Sequence, residues 1–507
     1  MKKKQLRWTL WTIASPFILF IILCILIYLP PIQNFLVDKA AVYASEATGM
    51  NISVGRISLS FPLNLVVTDV DAASPHNDTL LSVRRLQVNV QLLPLLKKQV
   101  EVDGISLQGA TVNSNDLIHG MKLNGTLGEL FISSHGVALD PETAIVNKVL
   151  LKDTDLSLCL NDTAAVDTAA SDTTYWKIIL QDIDLQNVSF ALDMPLDSLS
   201  LAASLDNAIL RDGLIDLHKS AYSLQTFRIK NGRVRYDSGK PLAADSLPSG
   251  LDPSHIALTD IGVKLDSLYY EGRNMKAIIS QFVLKERSGV EIVSATGRMV
   301  SNDKVLRVPS LKLETRDSYL ELNAAMDWNA LDFKGEGLVS ARLMADIGKP
   351  DVVRFMGRMD EKFVRQYPSE PLRIRTGIDG DLNKLKLTTL TAELPGALGL
   401  FARGELTHLT DSLLRGGDIT LEAETKDLKF VSTLAEGIEI PYGTRLEGKF
   451  TMAGAKMGTD LLLMQPEAQA VVAADTIPIT VYNDSISVAD DFKMERAARL
   501  FAKYDLS

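Results

Sequence analysis

The sequence predicts a mainly β protein, in which an N-terminal transmembrane helix precedes an elongated, repetitive antiparallel β-groove with a few short helices. Three observations predict it. A single long uncharged apolar segment, Trp8 to Tyr28, stands at the start of the chain. Beyond residue 50, apolar residues alternate with polar ones, the period of a half-buried strand. One spacing of apolar residues then recurs along the first half of the chain.

The segment WTLWTIASPFILFIILCILIY makes a helix roughly 30 Å long, the thickness of a bilayer's hydrocarbon core. Trp8 and Trp11 at one end and Tyr28 at the other are placed for the two membrane interfaces, and Pro30-Pro31 stops the helix. Lys2, Lys3, Lys4 and Arg7 outweigh Lys39, so residues 1–31 are expected to be a cytoplasmic tail and span, with the body outside. The core is longer than the roughly 7 to 15 residues of a cleaved signal. Residues 32–49 are expected to form an amphipathic connecting helix on Ile32, Leu36, Ala40, Tyr43 or Ala44, and Ala47, ended by Gly49.

Residues 50–330 form the repetitive β region. In VDGISLQGATV, Val102 is followed at +3, +5, +8 and +10 by Ile105, Leu107, Ala110 and Val112. Leu180 is followed in the same way by Ile183, Leu185, Val188 and Phe190, and Leu224 by Phe227, Ile229, Gly232 and Val234. A looser copy places Ile261 and Val263 after Leu258. The step from +5 to +8 would turn the apolar side over in an undisturbed strand. A two-residue turn or a bulge is therefore expected at Gln108-Gly109, Gln186-Asn187 and Lys230-Asn231. With either device, Ile105, Leu107, Val112, Ile183, Leu185, Val188, Phe190, Phe227, Ile229, Val234, Ile261 and Val263 share one face, the candidate groove wall.

The tracts 161–174 and 241–254, rich in Asp, Thr, Ala and Pro, are expected as insertions at hairpin ends. Residues 331–489 continue the β-groove, with strand resuming at Leu331, one helix from Pro350 to Pro368, and a short helical piece at 428–436. The stretch 490–507, with Phe492, Leu500 and Phe501 at helical spacing, is expected to be a terminal helix, and its change of texture is open to the reading of a truncated or frameshifted product.

Composition narrows the function. Lys and Arg number 53 against 63 Asp and Glu, and the net charge of −10 argues against a nucleic-acid partner. Cys24 lies in the span and Cys159 stands alone in the body, so no disulfide framework is available. The six histidines have no partner at ligand spacing, so no metal or other cofactor is expected. Gly443 to Lys449 imitates the start of a phosphate-binding loop, but Phe450 stands where Ser or Thr is needed. Asp182 and Asp184 fall on the polar side of a strand, and no nucleophile elbow is present. The expectation is a protein without enzymatic activity.

An amphipathic sheet must hide its apolar side. It can close over a structural core or curl into a trough that shelters lipid, and periodicity alone leaves both open. The stakes for lipid are high, since a 14-carbon tail needs roughly 11 kcal/mol of shelter at about 0.8 kcal/mol per CH₂.

The span, the helix ending Ala47-Thr48-Gly49, and ISVGRISLSFPLNLVVTDVD from Ile52 resemble the opening of AsmA-like proteins. VDGISLQGATVN, FRIKNGRVRYD, KERSGVEI and GIDGD are similar to the N-terminal part of TamB-type translocation and assembly module proteins, in their Bacteroidetes-like form. The resemblance runs over residues 9–480. It implies a single-pass inner-membrane anchor with the N-terminus cytoplasmic and the body periplasmic. It further implies phospholipid passing along the groove, a part in outer-membrane assembly and cell-envelope biogenesis, and an outer-membrane β-barrel partner. TamB proteins are much longer, and their partner-engaging C-terminal region has no clear counterpart here. The alternative is a scaffold that binds the barrel by strand addition and carries no lipid.

Overall fold

The computed structural model describes residues 39–505 apart from short stretches, of which the longest are 92–101, 162–175, 240–249, 435–442, 465–474 and 489–496. The expected membrane span, with Trp8, Trp11 and Tyr28, lies outside the described residues. Among those described, no helix is long and apolar enough to cross a membrane. In the expected connecting helix Lys39, Ala41, Val42 and Ser45 are helical, and Gly49 N–H donates to the Ser45 carbonyl at 2.9 Å. The body is mainly β and divides into two compact units, Met1–Leu242 and Ala243–Ser507.

The first unit holds β1 (Asn51–Ser60), β2 (Asn64–Ala73), β3 (Thr79–Val90), β4 (Val102–Asn113), β5 (Met121–Ala138), β6 (Thr143–Leu160), β7 (Lys177–Met194), β8 (Leu199–Asp216), β9 (Ala221–Leu224) and β10 (Thr226–Ser238). They pair in the order β1-β2-β3-β4-β5-β6-β7-β8-β10, with the short β9 against the end of β8. One of these pairings corrects the expectation of a purely antiparallel sheet. β6 and β7 run parallel, from Thr143 opposite Lys177 to Cys159 opposite Asp193. Leu160 and Lys177 therefore lie at opposite ends of neighbouring strands, so a tight hairpin does not join them; the tracts 161–174 and 241–254 themselves lie largely outside the described residues. A polar low-complexity tract is compatible with a hairpin and with a longer connection alike, so its composition could not distinguish them.

The second unit continues with β11 (His255–Glu271), β12 (Asn274–Glu286), β13 (Glu291–Ser301), β14 (Val305–Thr315), β15 (Tyr319–Asp327), β16 (Leu338–Ile347), β17 (Leu372–Asp381), β18 (Lys384–Leu394), β19 (Leu398–Thr407), β20 (Gly416–Thr425), β21 (Arg445–Ala453), β22 (Lys456–Met464), β23 (Asp475–Tyr482), β24 (Ser485–Val488) and β25 (Ala497–Asp505). From β11 to β22 each strand pairs antiparallel with the next. The register shifts repeatedly. One shift falls at Pro309, which has no N–H to give to a ladder and sits between the pairs Val308–Ala324 and Leu311–Leu322.

Three expectations fail in this unit. The helix expected from Pro350 to Pro368 is two helices, α2 (Lys349–Met356) and α3 (Glu361–Gln366), parted at Gly357, whose φ of 75° favours glycine. Residues 328–331 form a helical turn, α1 (Trp328–Leu331), and the strand expected from Leu331 begins only at Leu338. Residues 497–505, expected as helix, are β25, antiparallel to β22.

The buried aromatic side chains of the second unit gather at strand ends. Phe363 of α3, 1% exposed, packs with Tyr367, Leu394, Ala397, Leu428 and Phe430. Its ring meets that of Phe430 edge-on at 5.7 Å, a favourable quadrupole arrangement. At the opposite ends of the strands, Ala330, Val339 and Leu382 form a smaller cluster. The N-terminal turn of α2 is fixed by Asp351, also 1% exposed, which accepts from the Thr315 hydroxyl, from Ser318 Oγ at 2.6 Å and from Arg354 Nη1 at 3.0 Å.

Candidate functional site

Directly opposed residues of paired strands lie on the same face of a sheet, so the register shows which wall residues come together. In the first unit one row runs Leu59, Leu65, Val88, Ile105, Ile132, Val149, Ile183, Leu210, Phe227. The next runs Ile57, Val67, Leu86, Leu107, Leu130, Leu151, Leu185, Ala208, Ile229, and two more pass through Val188 and Phe190. Each row crosses nine strands, and none of the four contains a charged residue. The third includes one polar residue, buried Thr154, whose hydroxyl donates to the Lys152 carbonyl at 3.2 Å. At about 4.8 Å per strand the rows extend roughly 38 Å.

Between the last two apolar rows lies a wholly polar one: Ser53, Asp71, Ser82, Thr111, Thr126, Asp155, Ser189, Ser204, Arg233. Its side chains bond along the row, as Ser189 Oγ does to Asp155 Oδ2 at 2.7 Å. Strict alternation assigns this row to the opposite face. Asp184 accepts there from Gln186 at 2.8 Å and from Asn207 at 3.1 Å, and Asp182 lies 3.5 Å from Arg211.

All ten sequence-predicted wall residues of this unit fall in the four apolar rows. Ile105 and Phe190 are 36% and 37% exposed, and the other eight are half-buried. None is buried as a core residue would be. Ile261 and Val263 belong to the second unit, on β11. Ile261 is buried, beside a register shift, and Val263 is half-buried opposite Phe282. Sequence reasoning missed many members of the same rows, among them Leu130, Leu151 and Leu210. Their alternation was available as a signal, but their strands carry less regular copies of the repeat.

The correction from +5 to +8 is neither a two-residue turn nor an inserted residue. The strands run straight through, and the register of each neighbouring pair steps over one row and resumes unshifted. That row is Gly55, Asp69, Arg84, Gly109, Gly128, Asp153, Asn187, Asp206, Asn231. Asp69, Gly109, Asp153, Asn187 and Asn231 are left-handed, with φ between 50° and 62°, a region that Gly, Asn and Asp tolerate best. The row is crowded: a Cβ on Gly128 would stand 2.8 Å from that of Asp153, and one on Gly55 2.9 Å from that of Asp69. Two neighbouring pairs are bonded along the row: Asn187 donates to Asp153 Oδ1 at 2.9 Å and Asn231 donates to Asp206.

Among the described residues no group of three or more His, Cys, Asp or Glu is placed to hold a metal ion. In comparisons with known proteins, no family model and no curated protein matches the sequence.

Proposed function

We propose that this protein carries lipid along an apolar β face in the cell envelope, tethered by its N-terminal segment in the inner membrane with its body in the periplasm, and without catalysing a reaction. The supporting observation is the set of four uncharged rows across nine strands, whose Leu, Ile and Phe side chains all stay partly exposed. A closed core would bury Ile183 and Leu185 outright. An open face leaves apolar area in water at about 25 cal/mol per Å², and an acyl chain laid on it relieves both surfaces. The resemblance to AsmA-like and TamB-type proteins supplies the rest of the reading: phospholipid as cargo, outer-membrane assembly as the process, an outer-membrane barrel as partner.

The experiment is photo-crosslinking at Leu185 and Phe190 in protein extracted from membranes, paired with Leu185→Asp. Phospholipid should be captured at both positions. Leu185→Asp should abolish capture at Phe190 while lowering stability by only about 1–2 kcal/mol, because a carboxylate at a partly exposed position keeps contact with water. If the crosslinkers capture no lipid and Leu185→Asp unfolds the protein, the face is an ordinary core and the reading falls.

A further inference from the structure

The geometry points to a hinge line along the stepped-over row, about which the two flanking strips of the apolar face rotate and so change how far the face opens. A hinge that crosses a sheet needs pivots that are collinear, since otherwise rotation at one strand tears the ladder to the next. Here the pivots are in line. Gly55, Asp69, Arg84, Gly109, Gly128, Asp153, Asn187, Asp206 and Asn231 occupy one row, no ladder pair is made along it, and register is identical on both sides. Five of the nine are already left-handed, single residues that can absorb a change of backbone angle.

The contacts that hold the row together run along it, so they do not oppose rotation about it. Asn187 bonds to Asp153 on the adjacent strand, Asn231 to Asp206, and Gly109 admits the Arg84 side chain 3.2 Å from where its own Cβ would be. Two apolar rows lie on each side of the line, through Ile183 and Leu185 on one and Val188 and Phe190 on the other. Rotation therefore changes the separation of two intact strips. That it serves to fit cargo rests on the lipid-carrying reading; the hinge itself does not.

Spin labels on the polar face test both. Arg228 and Arg235 of β10 lie on opposite sides of Asn231, roughly 23 Å apart, and Thr111 and Arg233 lie in one row on the same side, roughly 24 Å apart. Each pair is replaced by labelled cysteines in a full chain carrying Cys24→Ser and Cys159→Ser, and distances are read by pulsed electron resonance in detergent and in phospholipid nanodiscs. The cross-line distribution should be broader than the same-row one, should broaden further with Asn231→Gly, and should narrow or shift with phospholipid, while the same-row pair stays fixed. Equal narrow widths for both pairs would overturn the hinge. A broad cross-line distribution that phospholipid leaves unchanged, with lipid still captured at Leu185, would overturn its role in cargo. Absence of capture at Leu185 would remove the lipid reading and leave the hinge to be judged on the two widths.

Discussion

Leu185 and Phe363 are both large apolar side chains from segments with one apolar side, yet Leu185 lies half-exposed in a row nine strands long and Phe363 is 1% exposed among aromatic rings. The units around them differ in the same way. Across its four rows the first unit keeps register, and its apolar side chains are supported sideways by neighbours on adjacent strands. The second unit shifts register between β11 and β12, β12 and β13, β13 and β14, β14 and β15, β17 and β18, and β18 and β19. It gathers its large buried residues at strand ends beneath α2, α3 and the turn Lys429–Thr433. A sheet whose rows align can leave its face free for another molecule, whereas one whose rows do not align secures itself with local cores. Backbone ladders stabilise both; side-chain burial distinguishes them.

The most direct way to break this contrast is Phe363→Ala. Removing a buried aromatic leaves a cavity among Tyr367, Phe430 and Leu394 and should cost about 3–5 kcal/mol. Hydrogen exchange should show α2, α3 and 429–433 losing protection first, with lipid capture at Leu185 unchanged. If β4 to β8 lost protection equally, the two units would share one stability and the contrast would be wrong.

A smaller effect tests the first unit. Asn187→Val puts a β-branched residue at φ 52° and removes the bond to Asp153, together about 2 kcal/mol. Asn187→Gly keeps the left-handed backbone and should cost about 1 kcal/mol or less. Equal costs in urea unfolding would show that the hydrogen bond, not the backbone angle, is what the position requires.

Much of this was legible in the sequence because a strand's side chains alternate with period two and any interruption shows. Gln108-Gly109, Gln186-Asn187 and Lys230-Asn231 announced a disturbance, and the residue types at the second position are those that tolerate left-handed backbone. What could not be read was that the disturbances align, since alignment depends on which strands pair. The parallel β6–β7 pair was hidden for the same reason. Nothing in the sequence around Asp351 marks it as buried, because its burial depends on Thr315 and Ser318, far away in sequence. The 497–505 stretch misled because Ala, Arg, Leu and Lys favour helix, while Leu500, Ala502 and Tyr504 also alternate as a strand would.

The smallest predicted effect concerns the local fixings at the start of the second unit. His255 Nδ1 lies 2.9 Å from Asp252 Oδ2, and Ser254 N–H donates to Asp252 Oδ1 at 3.0 Å. The His255 hydrogen bond, then that from Ser254, holds the Asp252 carboxyl below its ordinary 3.8. A carboxylate whose folded pKa is depressed contributes stability that is fully present above its unfolded value and is lost as pH falls through the folded one. Asp252 is 38% exposed, and solvent screening keeps the contribution under about 1 kcal/mol. In urea unfolding, the stability difference between the native chain and Asp252→Asn should shrink as pH falls through the depressed value of Asp252 and vanish below it. The adjacent Leu251 N–H donates to the Arg354 carbonyl at 2.7 Å, at the end of α2. Acid should therefore loosen the α2 region before it disturbs the rows through Leu185, whose uncharged side chains have nothing to titrate; the reverse order would show that the row-aligned sheet is the weaker of the two constructions.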